Sequence, residues 1–357
     1  MKLKEFSPET NPAKENTVKK NSICKHLIIG LIIAVTALYL TYRKTGTAEL
    51  IETLQTVDWL PLLFVFPPLA LSYLFRIFRW KLLLSPVAKV SAAKATGPLL
   101  TGFMVNSILP GRVGEILRSV LLSRKTGVPG FASFATVVLA RIFDGLTLGL
   151  MTLVVLVKFW DELSSGIRLG LMGAIAMYIC VLLILVALKK WNEKAAYILT
   201  SPFRWIRLET VATKLEEILM SFSKGLAVLK DAKETISIIL LSLCVWICLS
   251  LSVVPVFLVM GQGIHWYYPL LVLILAGLGM LIPTPAGTGT VHGALVIGLP
   301  VLGLSMDAGV FAFLFHTTQF LPIIMAGLVA AVIEGVSASD VRRIAEEDPQ
   351  ERTTGHD

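Results

Sequence analysis

Arg112, Glu115 and Arg118 step by three along one segment of the chain, and Arg141 and Asp144 repeat that interval further on. On a helix, residues so spaced share a face and can pair. Both groupings lie in apolar surroundings, where an ionisable side chain costs a few kcal/mol or more and normally faces a bundle interior or a water-filled cavity. Arginine's planar fork of donors matches a phosphate better than any other side chain. Positive charge exceeds negative around the first segment, which suits an anionic head group. Arg112, Arg118 and Arg141 are therefore candidate head-group ligands, with Glu115 and Asp144 orienting them. A purely structural role stands beside this one: each acid could neutralise its neighbouring arginine and pin the segment to a bundle.

The second half carries a quieter set. His292 is followed by His316 and Gln319, again three apart, and an imidazole titrates near neutral pH. His316 alone reads more readily as a satisfied core histidine than as a ligand. Arg76 and Arg79 beside Trp80 read as interface anchors, and Trp266, Tyr267 and Tyr268 as an aromatic belt at the opposite surface.

The backbone around both sets is broken in the same way. Asn106 leads into Pro110, Gly111 and Gly114, and Pro283 leads into Pro285, Gly287 and Gly289. Proline removes a backbone donor and glycine loosens a helix, so each segment should interrupt its helix. Broken backbone at membrane depth survives only against protein or a water-filled cavity. One such break in each half of a polytopic chain points to a transporter-type site.

The membrane setting follows from composition. Of 357 residues, 55% are hydrophobic and 16% charged, against about a quarter charged in soluble domains. Apolar runs long enough to span are His26–Tyr42, Trp59–Phe78, Phe131–Lys158, Ile167–Leu188, Ile236–Met260 and Ala308–Ile333. The broken segments add hairpins near Ala92–Ser123 and Tyr268–Leu304, with arms of about 12 to 16 residues, too short to cross. The expected fold is an all-α integral membrane bundle of about six full spans plus two re-entrant hairpins. A tail (1–25) precedes the membrane domain (26–333), which contains a basic loop (189–235), and an acidic tail (334–357) follows. Phe203 to Leu226 within that loop has apolar residues at helical spacing. It reads either as an interfacial helix on the leaflet or as a helix packed under the bundle.

Charge orients the spans. Lysines crowd residues 2–25, and basic residues recur at 76–94, at Arg124 and Lys125, and at nine positions from Lys189 to Lys233, while the alternate loops are poor in them. The positive-inside rule then places both termini in the cytoplasm. With both ends inside, the first hairpin enters from the cytoplasm and the second from outside, which is an inverted-topology repeat.

Other functional classes find little support. The formal charge of +8 comes without an aromatic–basic pattern for RNA or a DNA-binding motif, so nucleic acid is not an expected partner. The Pro285-Ala-Gly287-Thr-Gly289-Thr stretch lacks the lysine and preceding strand of a phosphate loop. Cys244 and Cys248 sit four apart but have no further His or Cys near them in sequence, and read as packing. No metal, cofactor or catalytic motif is implied.

On these residues the chain resembles the lysylphosphatidylglycerol synthase transmembrane-region family, the flippase-like membrane domains. The resemblance is carried by Arg76, Arg79 and Trp80, by the block from Asn106 to Arg118, by Ala140, Arg141 and Asp144, and by Pro283 to Gly289. It implies an inner-membrane protein that moves, or helps move, a lipid between leaflets, with an anionic membrane lipid as ligand and a lipid synthase or glycosyltransferase as an expected companion. In the best-known relatives a cytosolic aminoacyl transferase is fused to this domain; the short stretch after Ile333 leads us to expect the stand-alone form. Many relatives carry an acid and an arginine where His292 and His316 stand here, so this chain departs from a fixed ion pair in its second half. Histidine there could make the step pH-sensitive. The remaining readings are a membrane enzyme that modifies a lipid head group, with Glu115 or Asp144 as base, and a scaffold for a partner synthase.

Reporter fusions at Asp357 and within 261–267 should report opposite compartments, with Asp357 cytoplasmic. The same compartment for both would remove the inverted repeat.

Overall fold

A computed structural model describes residues 55–109, 112–161, 165–205, 208–225, 232–282, 284–301, 303–304, 306–337 and 340, with isolated positions before 55. The expected span His26–Tyr42, nearly all of both tails, and Pro110, Gly111 and Pro283 lie outside the described residues.

A 3-10 turn at Leu60–Val65 feeds α1 (Phe66–Leu84), followed by α2 (Ala92–Ile108), α3 (Val113–Thr126) and α4 (Gly130–Lys158). Then come α5 (Ser165–Trp205), α6 (Glu209–Gly225), α7 (Ala232–Val259) and α8 (Tyr268–Gly279). A 3-10 turn at Pro285–Gly287, α9 (Thr290–Val301) and α10 (Ala308–Ile333) complete the described chain. Every regular element among the described residues is helical. Four stretches are long and apolar enough to cross a membrane: Leu60–Leu84, Gly130–Lys158, Ala232–Val259 and Ala308–Ile333. The outer face of α10, with Met325, Leu328, Val329 and Val332 exposed, is too apolar for water and suits lipid.

Both broken segments fold as hairpins of short helices. α2 and α3 hold 17 and 14 residues, and α8 and α9 hold 12 each. At about 1.5 Å per residue all four fall short of the ~30 Å hydrocarbon core. The turning points are alike. Arg112 (φ 56°) and Ala286 (φ 52°) are the only non-glycine residues with positive φ among the described residues. Each departs from the preferred backbone by roughly 1–2 kcal/mol. Hydroxyls satisfy the second break: Thr290 Oγ1 donates to the Gly287 carbonyl at 3.0 Å and lies 3.1 Å from Thr284 Oγ1.

Glycine lets the arms close. A methyl group on Gly114 would sit 2.0 Å from the Gly102 carbonyl oxygen, and one on Gly102 would sit 2.7 Å from the Arg118 Cβ. In the second hairpin a methyl on Gly279 would meet the Val291 Cα at 2.7 Å. α10 lies along α2, where Gly327 faces Met104, and α7 lies along α1. One apolar core gathers around Trp80, Leu84, Leu122 and Leu139, and a second around Phe257, Val291, Phe311 and Phe315.

The region expected as a basic loop is largely helical. α5 continues from its apolar part without interruption through Lys194 to Trp205, because the alanines, lysines and glutamate after Leu188 favour helix. α6 then folds back against α5 and α4.

Gly114→Ala should lower the thermal stability of the purified protein by about 1–3 kcal/mol, the range for overpacking. Gly130→Ala, whose added carbon meets nothing nearer than 3.8 Å, should leave it unchanged; thermal unfolding in detergent compares the two.

Candidate functional site

Four arginines and two carboxylates meet where α1, α3 and α4 converge. Asp144 on α4 is the hub. Its Oδ1 lies 2.8 Å from Arg79 Nη2, and its Oδ2 lies 3.2 Å from Arg76 Nη1 and 3.5 Å from Arg141 Nη1. Arg141 Nε donates to Glu115 Oε1 at 2.7 Å, which ties α4 to α3. Arg79, only 2% exposed, also donates to Ser242 Oγ of α7 at 3.0 Å. Three helices and a fourth neighbour are thus joined by one polar network.

Arg118 is different. It is 4% exposed, and among the described residues it makes neither an ion pair nor a hydrogen bond; its Nε is buried without a partner. Its guanidinium lies 4.0 Å from the centroid of the Trp80 ring, a cation–π contact. Trp80 is itself fixed by donating Nε1–H to Thr136 Oγ1 at 2.9 Å. Phe103 of α2 serves two more arginines, with Arg76 Cζ at 5.4 Å and Arg141 Cζ at 5.0 Å from its centroid. The six charged groups leave two positive charges uncompensated. Arg76, Arg79, Phe103, Arg118, Arg141 and Asp144 line a narrow cavity with about 10 Å³ for the centre of a water-sized sphere. That is room for about one water, so a lipid phosphate needs the lining to open.

The second set assembles in the other half. The His292 and His316 rings are 4.5 Å apart, and His316 Nε2 lies 3.2 Å from the Ala286 carbonyl at the hairpin turn. Gln319 is buried and exchanges hydrogen bonds with Ser252 of α7 at 3.1 and 3.2 Å. The three residues separated by 27 positions in sequence therefore share one region, without a fixed charge among them.

The structure brings together Glu115, Arg118, Arg141 and Asp144, and Arg141 meets Asp144 at 3.5 Å as their spacing suggested. Glu115 pairs across helices with Arg141 rather than with the arginines of its own segment. Arg112 takes the left-handed conformation at the start of α3 and is exposed, so it is off the helical face and not among the cavity lining. Asn106 is half-buried against Gly114, its Oδ1 without a hydrogen-bond partner among the described residues. The interface-anchor reading of Arg76 and Arg79 is overturned: Arg79 is buried, Arg76 is half-buried, and both pair with Asp144. Their three-residue spacing beside Trp80 was the available signal, since it matches the spacing that singled out the other groupings. Phe103 and Ser242 carried no such signal.

Fold and site define a multi-pass, all-helical membrane protein with a buried, positively charged site beside a broken helical hairpin. The lysylphosphatidylglycerol synthase TM region matches residues 27–327, and the chain belongs to that family. It is a flippase-like, multi-spanning protein whose class fits translocation of lipids or their head groups across the bilayer. The UPF0104 membrane protein MJ1078 of Methanocaldococcus jannaschii is 25% identical over 230 residues, 63% of this chain and 92% of that protein. The glycosyltransferase AglD of Haloferax volcanii is 24% identical over 153 residues, 41% of this chain but only 24% of its own length.

Asp144→Asn should destabilise the protein by about 3–5 kcal/mol, because it leaves buried arginines facing one another without their shared counter-charge. Arg118→Gln should cost far less, since no described carboxylate depends on it. Thermal melts of both variants in one detergent give the comparison.

Proposed function

We propose that the protein translocates, or assists translocation of, a phosphate-bearing lipid or lipid-linked intermediate between the leaflets of the inner (plasma) membrane. The observation that carries this reading is Arg118, a buried guanidinium held by its face on Trp80, with no counter-ion among the described residues, at a cavity lined by three more arginines. A phosphate supplies the missing charge. Arg118, Arg76, Arg79 and Arg141 contact the head group in this scheme, while Glu115 and Asp144 hold the last three in place. Asn106 and the exposed Arg112 sit near the turn of the first hairpin and meet the lipid as it enters. His292, His316 and Gln319 offer uncharged hydrogen-bonding groups on the outer half of the path.

The topology in this proposal has six full spans, two re-entrant hairpins entering from opposite sides, and both termini in the cytoplasm. It is supported by the short arms, the matching left-handed turns at Arg112 and Ala286, and the glycine contact inside each hairpin. Salt bridges from Lys125 to Glu334 and from Arg124 to Asp340 put the open end of the first hairpin beside the end of α10, on the basic side. A partner lipid synthase or glycosyltransferase fits the likeness to AglD. A head-group-modifying enzyme fits less well, because both candidate bases, Glu115 and Asp144, are occupied by arginines.

In reconstituted vesicles with leaflet-specific labelling of an anionic phospholipid, the wild type should speed exchange. Arg118→Gln should slow it by about ten-fold or more at unchanged thermal stability, the scale of losing one charge-assisted phosphate contact. Exchange by Arg118→Gln at the wild-type rate would place the head group elsewhere.

A further inference from the structure

We infer that the arginine cavity is built for a head group with two negative charges, a phosphomonoester or a diphosphate, rather than for the single charge of an ordinary phosphodiester. The inference rests on the head-group reading above and narrows it.

The charge count comes first. Four guanidinium groups meet two carboxylates, and both carboxylates are already committed. Asp144 spends one oxygen on Arg79 and the other on Arg76 and Arg141, and Glu115 spends an oxygen on Arg141. Arg141 therefore touches two acids, Arg76 and Arg79 share one, and Arg118 touches none. An uncompensated buried charge is strongly unfavourable. A monoanion leaves one positive charge in the cavity, a dianion leaves none, and a zwitterionic head group leaves both.

Geometry points the same way. Trp80 covers a face of Arg118, and Phe103 lies against Arg76 and Arg141. Face contacts leave the in-plane N–H groups of a guanidinium as its remaining donors. These donors approach from α1, α3 and α4, that is, from three sides of the cavity. A phosphodiester presents only two non-bridging oxygens to these three sides. A phosphomonoester or diphosphate has more, and can accept from Arg118 while also reaching the Arg76 and Arg141 side.

The test uses the purified full-length protein in detergent. Binding of short-chain phosphatidic acid and of a prenyl monophosphate is measured against short-chain phosphatidylglycerol and phosphatidylethanolamine. Both dianionic lipids should bind about ten-fold tighter or more than phosphatidylglycerol, with phosphatidylethanolamine weakest. Arg118→Gln should shrink the preference to about two-fold or less. If that variant does not fold, Glu115→Gln replaces it: by adding a further net positive charge it should keep or widen the preference. Equal affinity for phosphatidylglycerol and the dianionic lipids, or a preference that survives Arg118→Gln, overturns the inference. Inorganic phosphate and pyrophosphate, added as competitors, identify the source of the anion. Displacement only at about a hundred-fold excess over the lipid supports a lipid head group, and equal potency makes this a soluble-anion site, which overturns it. Tight, charge-selective binding without any leaflet exchange in vesicles would instead overturn the translocation reading and leave the charge preference standing.

Discussion

One carboxylate holds the first half of this protein together. Asp144 lies on α4 and binds Arg76 and Arg79 of α1 as well as Arg141 of its own helix. Arginines brought this close repel one another, and in apolar surroundings that repulsion is poorly screened. The shared acid makes their approach tolerable, and the surrounding structure follows from it. Glu115 then draws α3 to Arg141, which requires α3 to lie deep against its neighbours. The bare backbones of Gly102 and Gly114 permit that depth, and their contact places the Arg118 Cβ directly over α2. From there the Arg118 guanidinium reaches the Trp80 ring and, among the described residues, no acid. The unsatisfied charge is a consequence of how the satisfied ones are arranged.

The two halves share local architecture and differ in electrostatics. Each has a hairpin of short helices, a left-handed residue at the turn and a glycine where the arms meet. In the first half this frame presents guanidinium groups, and in the second it presents His292, His316 and the amide of Gln319. Under the proposed function, a phosphate would be held strongly on one side and met by hydrogen bonds on the other. Such an asymmetry gives a translocated lipid a resting place without requiring an equally deep one across the membrane, where release would be slow. α7 runs past both sets, offering Ser242 to Arg79 and Ser252 to Gln319.

Much of this was legible in the sequence. Four of the six expected spans came from apolar length, the pairs of short helices from proline and glycine inside apolar runs, and the charged members of the candidate site from charge where none is cheap. What failed did so for physical reasons. Pairing was assigned by proximity along a helix, yet Glu115 finds Arg141 across helices, because a buried acid goes to whichever cation the packing brings nearest. Arg76 and Arg79 lie towards the end of an apolar run, where a solvated anchor and a buried ligand look alike until the neighbouring helices are known. Arg112 kept its helical spacing in sequence but lost it in space when the turn placed it in the left-handed conformation. The continuation of α5 beyond Leu188 was missed because charge was taken as the end of the element, although lysine and glutamate extend a helix readily.

The central claim is that a lipid phosphate sits at Arg118 in the cavity between α1, α3 and α4. A structure of the protein in lipid nanodiscs at a resolution that shows bound head groups tests this directly. The account expects a phosphate within about 3 Å of the Arg118 guanidinium edge, the range of a charge-assisted hydrogen bond, with the Trp80 contact kept and the Asp144 network intact. A closed cavity with Arg118 turned to a protein carboxylate, and head groups bound only beside His292 and His316, would contradict it.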